Sequence, residues 1–260
     1  MNKAALNQGA QNEHAPSQDA RKQDARNLGA PNQGKKLVIA IDGPAGAGKS
    51  TIASRLAKTL GYVNLESGAM YRALGLKSIE VGVSVGDGAA LLALARQSSI
   101  ELKPRPEGNR VLLDGRDVSA RIRERDVTDA ASRVSTHPEV RQWMVERQRE
   151  MGASGGVIME GRDIGTVVFP KAEVKIFLDA DSKVREGRRV SQANAQDDPE
   201  RAEKLKDELR ERDRRDSTRA TAPLRAAEDA VHIDSSSLTI EDVITRAEEI
   251  VREKLKDLSL

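Results

Sequence analysis

One stretch constrains this chain more than any other. Leu37-Val38-Ile39-Ala40-Ile41 is a short continuous apolar run, the pattern of a strand buried on both faces. Asp42 follows, then Gly43-Pro44-Ala45-Gly46-Ala47-Gly48-Lys49-Ser50, which fits G-x-x-x-x-G-K-[ST] in full. Behind it, Ile52, Leu56 and Leu60 recur at helical spacing until Gly61 stops the helix. Glycines let the backbone curl so that successive N–H groups converge on phosphate oxygens, and the helix N-terminus adds its positive end. In such a loop Lys49 reaches the β/γ-phosphates and Ser50 places its hydroxyl on Mg²⁺. The loop requires an α/β sheet around it and points to nucleoside triphosphate use. It does not name the acceptor. No Asn-Lys-x-Asp guanine motif accompanies it, so a GTPase reading lacks support, while an ATPase and a small-molecule kinase both stay open.

The remaining pattern predicts the rest of the sheet. Tyr62–Leu65, Val157–Met159, Val174–Leu178 and Ala230–Ile233 read as further strands. Helices are expected near 69–81, 121–151, 182–192, 200–215 and 240–256. Their alternation predicts a parallel sheet flanked by helices. Ser99–Lys103 and Arg110–Leu113 interrupt it as a β-hairpin, with Asp114-Gly115 as the next turn before Arg116-Asp117-Val118. A small antiparallel subdomain, about 85–130, is therefore expected inside the parallel fold.

Composition narrows the class. Hydrophobic residues make up 38% of the 260, and the 20 glycines bring the apolar share near the ordinary globular level of about 45–50%. Aromatic residues are scarce: Tyr62, Tyr71, Trp143, Phe169 and Phe177. That leaves a Val/Ile/Leu/Ala core and little for a base-stacking platform. A net charge of +2 from 43 basic and 41 acidic residues is no polybasic footprint, so a nucleic-acid partner is not expected. Without cysteine there are no disulfides or thiolate metal sites. His14, His137 and His232 lie far apart, and no apolar run approaches the ~18–20 residues of a membrane span. Residues 1–34, rich in Asn, Gln, Ala and Gly, are expected to form a disordered tail before a domain at 35–260. The tail lacks the apolar core of a secretory signal, and Glu13, Asp19 and Asp24 argue against a transit peptide, so a cytoplasmic location is expected.

Polar residues fall where a plain structural pattern wants apolar ones. Ser67 and Arg72, at the start of the helix after the second strand, suit a phosphate monoester, though a helix cap beside a surface arginine explains them equally well. Glu160-Gly161-Arg162-Asp163 follows the third strand, at the carboxyl end where open α/β sheets bind ligands. Along the helix near 200–220, the stripe of Leu205 and Leu209 continues as Arg212, Asp216 and Arg219, so the inward face turns charged in its last turns. A solvated face is the competing explanation there.

IDGPAGAGKST, ESGAMYR, ASRVSTHPEVR, EGRDIGTVVFPKAEVKIFLDA, RERDRRDSTRATAPL and HIDSSSLTIEDVI occur together and in order. The chain resembles the bacterial cytidylate kinases, of the nucleoside monophosphate kinase superfamily, over about 37–256. The resemblance implies a P-loop nucleoside monophosphate kinase fold: a five-stranded parallel sheet flanked by helices, a nucleotide-binding insert about 67–135 and a helical lid about 184–204. It implies transfer of the γ-phosphoryl of ATP, with Mg²⁺, to CMP or dCMP by a monomer. Ser67, Arg72 and Arg162 would then hold the CMP phosphate, while Ser132, Arg141 and Asp163 would face cytosine. Arg212 and Asp216 would hold the sugar, with Arg219 bridging the base and phosphate sides. Gly43 to Thr51 would bind ATP, with Arg185, Arg188 and Arg189 closing over its phosphates and Asp234-Ser235-Ser236 beside the adenine. Lys49, Arg162 and Arg188 would be the catalytic cations. Glu66 and Glu160 stand where many relatives carry Asp, and neither has an assigned role. A kinase for UMP or another small acceptor is the alternative within the class. An arginine-rich nucleic-acid-binding ATPase is the alternative outside it, opposed by the mixed charge of 183–225.

Overall fold

A computed structural model describes residues 36–105 and 108–258. The expected tail at 1–34 lies outside the described residues. Five parallel strands form the main sheet in the order β2-β6-β1-β7-β8: β1 Val38–Asp42, β2 Val63–Glu66, β6 Val157–Gly161, β7 Val174–Asp179 and β8 Val231–Asp234. The phosphate-loop strand β1 is central, paired with β6 on one side and β7 on the other. Its apolar run is continuous because both faces are covered. Ile39 and Ile41 pack with Ile52 and Leu56 of α1 (Lys49–Leu60) and with Val243, Ala247 and Ile250 of the C-terminal helix Ile240–Leu258. Ala40 turns to the other face, with Met159, Val145 and Ile164. This alternation is the strand period of two.

The antiparallel insert is present as three strands, β3 Ile100–Arg105, β4 Gly108–Leu113 and β5 Arg116–Asp117. Val111 and Leu113 of β4 pack under Ala69, Ala73 and Leu76 of α2 (Ser67–Val81). A short helix, α3 (Gly88–Arg96), precedes the insert and was not foreseen. The Asp87 carboxylate caps it by accepting from Ala90 N at 2.9 Å.

The single helix expected over 121–151 is three pieces: a 3₁₀ turn at Arg121–Arg123, α4 at Arg125–Val134 and α5 at Pro138–Gly152. Pro138 explains the second break. Its ring forces the preceding residue out of the helical region, and His137 sits at φ −80°, ψ 118°. The break lets α4 pack against α2 while α5 turns back over the sheet.

After β6 the chain makes a π-helical turn at Ile164–Val168, again unforeseen. Then follow α6 (Ser182–Gln192) and α7 (Pro199–Thr218), which share a small apolar cluster of their own, Val190, Ala195, Ala202 and Leu205. The C-terminal helix, α8, is amphipathic as expected. Among the described residues, no helix is long and apolar enough to cross a membrane.

Candidate active site

The phosphate loop depends on glycine at its first position. Gly43 has φ +148°, and a Cβ there would lie 1.9 Å from the carbonyl oxygen of Leu178 on the neighbouring strand. Gly48, left-handed at φ 97°, turns the chain into α1. Lys49 is buried, and its Nζ donates to the Pro44 carbonyl at 2.6 Å. Burial and the nearby Arg162 push its pKa down, against the pull of Glu160. The ammonium thus bridges its own loop and would meet incoming phosphate oxygens without unfolding anything.

A cavity of about 270 Å³ opens beside the loop. Its walls bring together Lys49, Ser50 and Thr51 from α1, Ser67 and Arg72 from α2, and Ser132 from α4. Arg141 of α5, Arg162 and Asp163 after β6, and Arg212, Asp216 and Arg219 around the end of α7 complete it. Every acceptor-side residue expected from sequence lines this one hollow. The charged continuation of the Leu205–Leu209 stripe is explained: α7 leaves the apolar cluster and runs its last turns into the cavity.

The charges are paired across elements. Arg162 Nε donates to Asp216 Oδ2 at 2.8 Å, and its Nη1 to the Gly161 carbonyl at 3.1 Å. Arg141 donates from Nη2 to Asp163 and from Nη1 to the Ser135 carbonyl at 3.1 Å, with its guanidinium over the Tyr71 ring. Arg219 lies 3.7 Å from Asp163 and 3.8 Å from Asp216. Arg72 donates to Glu66, which Arg123 also approaches at 3.5 Å. Asp216 is held below the usual carboxylate range: Arg162, Arg212 and Arg219 outweigh the opposing effect of burial. Arg212 makes no hydrogen bond among the described residues, and burial beside Arg162 brings it down to about 10.

Several polar atoms of the cavity lining have no hydrogen-bond partner among the described residues: Arg72 Nε, Ser132 Oγ, Arg141 Nε, Arg219 Nη2 and Glu160 Oε1. Buried polar groups are ordinarily satisfied, so idle guanidinium and hydroxyl donors around one hollow, with one idle carboxylate oxygen among them, are the mark of a site awaiting a polar ligand that carries anionic groups.

Comparison with known proteins gives the lineage. The cytidylate kinase family model matches residues 39–253. This chain belongs to the cytidylate kinase family. A cytidylate kinase of Geobacillus kaustophilus is 53% identical over 221 residues, spanning 85% of this chain and 99% of that protein. One from Geobacillus thermodenitrificans is 52% identical over the same shares. One from Solibacter usitatus is 48% identical over 223 residues, 85% of this chain and 94% of that protein.

Not every residue suggested by the family resemblance reaches the cavity. Arg185 is buried behind the phosphate loop, donating from Nε to the Ala180 carbonyl at 2.9 Å and from Nη1 to the Ala45 carbonyl at 3.1 Å, and paired with Asp213. These bonds tie the start of α6 to the phosphate loop. Arg188 is tied to Ser235, donating to its hydroxyl at 3.0 Å and its carbonyl at 2.7 Å, so it joins α6 to the loop after β8. Arg189 lines an adjoining cavity of about 930 Å³ together with Ala45, Gly46 and Arg212, and burial beside Arg125 lowers its pKa. Gly43, Pro44 and Ala47 form the loop without lining the smaller cavity.

Four further residues had no role assigned from sequence. Tyr71 supports Arg141 from below. Asp42 accepts from the π-turn backbone. Glu66 and Glu160 turn out to be register partners at the carboxyl ends of β2 and β6. Burial raises the Glu160 pKa, and the Glu66 carboxylate beside it adds to the rise. Parallel strand register was the missing signal, since nothing in a one-dimensional pattern pairs residues 94 positions apart. Glu160 Oε1, buried and idle, shares the cavity wall with Ser50. Two hard oxygen donors facing one hollow fit a magnesium ion, which takes one or two protein oxygens and keeps the rest for water and phosphate.

Proposed function

We propose that the chain transfers the γ-phosphoryl group of ATP to the phosphate of CMP or dCMP, giving ADP and CDP or dCDP. What carries the reading is one hollow, opposite Lys49, that gathers two kinds of recognition. Arg72 and Arg162 offer guanidiniums for a phosphate, and Arg141, Ser132 and Asp163 offer a donor–acceptor edge for a base.

An oxygen of the acceptor phosphate forms the new bond to the γ-phosphorus as the bond to the β–γ bridging oxygen breaks, and ADP leaves with that oxygen. The acceptor is already nucleophilic as a dianion at neutral pH, so the protein's task is positioning and charge neutralisation. Arg72 and Arg162 would hold the acceptor oxygens against their mutual repulsion with ATP. Lys49 and the backbone N–H groups of the loop would follow the charge on the transferring group. Ser50, with Glu160 opposite, would hold Mg²⁺, which when bound neutralises charge on the ATP phosphates. Arg189 would approach the ATP phosphates from α6, Arg188 would have to give up its bonds to Ser235 to join it, and Arg185 would keep the loop in shape. Closing of the 184–204 segment would exclude water and limit hydrolysis.

Cytosine has an amino donor at position 4 and acceptors at N3 and O2. Asp163 would accept from the amino group, while Arg141 and Ser132 would donate to the ring. Uracil reverses that edge at positions 3 and 4 and would leave buried groups unpaired, which is the source of large discrimination. A coupled ADP-release assay with ATP and CMP, dCMP, UMP, AMP or shikimate tests the reading. Preference for CMP or dCMP is expected. Preference for any other acceptor overturns it.

A further inference from the structure

We infer that Asp42 is a specificity-determining positioning residue, one that sets the base-recognition edge from the opposite side of the phosphate loop. The inference rests on the substrate reading above and deepens it. Asp42 ends β1, immediately before Gly43, so its backbone begins the loop that faces ATP. Its side chain does something else. One carboxylate oxygen accepts from Ile164 N at 2.8 Å, and the other accepts from Gly165 N at 2.7 Å. These are the first N–H groups of the π-helical turn, which find no acceptor within the turn itself. Buried backbone donors need a partner, and a carboxylate spanning both is a charge-assisted one.

The residue fixed by this clamp is Asp163. It lies between Arg162 and the clamped Ile164, and its own carbonyl accepts from Val167 N at 2.9 Å and Val168 N at 3.2 Å. The turn cannot slide toward β1 or away from it without breaking one of these bonds. The Asp163 side chain is thereby directed at Arg141 and the cavity. Asp42 is itself buried, and its charge stands near those of Asp163 and Lys49. A buried carboxylate that faces another carboxylate is a costly arrangement, and the two N–H donors are what offset it. Only an ionised Asp supplies two acceptors. Asn supplies one, and its amide N–H would face a backbone N–H.

The test uses the full chain and the Asp42→Asn variant. Calorimetric titration with CMP and with UMP gives the affinity ratio, and steady-state assays give KM for CMP and for ATP. CMP binding is expected to weaken about tenfold while UMP binding changes less than about twofold, so the ratio collapses. KM for ATP should stay within about twofold, as the loop backbone is untouched. Equal losses for both acceptors, or an unchanged ratio, overturn the inference, since a merely structural role moves both together. Gly165→Ala is the second variant, needed if Asp42→Asn does not fold. The new Cβ would meet Asp42 Oδ2 at 3.4 Å and Lys175 Cδ at 3.2 Å, nudging the turn while keeping the carboxylate. It should show a smaller loss that again falls mainly on CMP, lowering the CMP-to-UMP ratio, and a ratio equal to wild type counts against the clamp. A wild-type chain that does not prefer CMP to UMP sinks the substrate reading itself, and this inference with it.

Discussion

Replacing Asp163 with alanine removes the carboxylate that the buried guanidiniums of Arg141 and Arg219 share. Arg141 is 2% exposed and Arg219 9%, and Asp163 lies within ion-pair distance of both. Breaking a buried pair by deleting one partner costs about 3–5 kcal/mol, because the surviving charge stays desolvated. The lower end applies here. Arg141 keeps the Ser135 carbonyl and the face of Tyr71, and Arg219 keeps the Ala222 carbonyl at 2.7 Å and Asp216 at 3.8 Å. A loss of about 3 kcal/mol lowers Tm by about 6–12 °C in a domain of this size. Urea unfolding at neutral pH, checked by calorimetric melting, measures it. Adding Arg141→Met to Asp163→Ala should recover part of the loss, since one of the orphaned charges is then gone. A single-variant loss below about 1 kcal/mol, or a double variant less stable than the single by the full cost of Arg141→Met alone, would refute the view that these charges are held by one another.

Arg162→Ala should lower kcat/KM for CMP by at least about a hundredfold, because the charge is lost where the acceptor phosphate meets ATP. Unchanged turnover in the ADP-release assay removes Arg162 from the mechanism. Asp42 carries a pH signature: burial, partly offset by its two N–H donors, raises its pKa from 3.8 to about 6. Between those values the folded state binds a proton that the unfolded state does not, so this group's contribution to stability rises as pH falls from 7 toward 4. Relative to Asp42→Asn, the wild-type chain should gain about 1 kcal/mol of stability in urea melts between pH 7 and pH 5. A constant difference across that range contradicts the raised pKa. Arg210→Ala should leave the urea midpoint unchanged within error, although this side chain reaches Glu186, Glu203 and Asp207. It is half exposed, so water already solvates much of what those contacts provide. A lower midpoint in the same melts would mean the network acts as a unit.

Much of this protein was legible one residue at a time. The apolar run before Gly43, the glycines of the loop and the 3.6-residue stripe of α7 are local patterns, and local patterns fix strand, turn and helix. They also placed Arg212, Asp216 and Arg219 on a single face, which the fold then turned into the cavity. What local patterns did not show was of two physical kinds. A proline cut one expected helix into separate pieces, a local signal that periodicity outweighed. The others were questions of partnership. Whether an arginine closes over a loop or braces it from behind depends on where α6 packs, and Arg185 lies against the Ala45 carbonyl, 140 positions away. Glu66 and Glu160 became neighbours through the register of two parallel strands, and Asp42 met Ile164 and Gly165 across the sheet. The chain alone decided what kinds of groups this protein carries and which element bears each. Only tertiary packing decided which charge faces which, because a buried ionic group takes its meaning from atoms within a few ångströms, and those come from segments that sequence order keeps far apart.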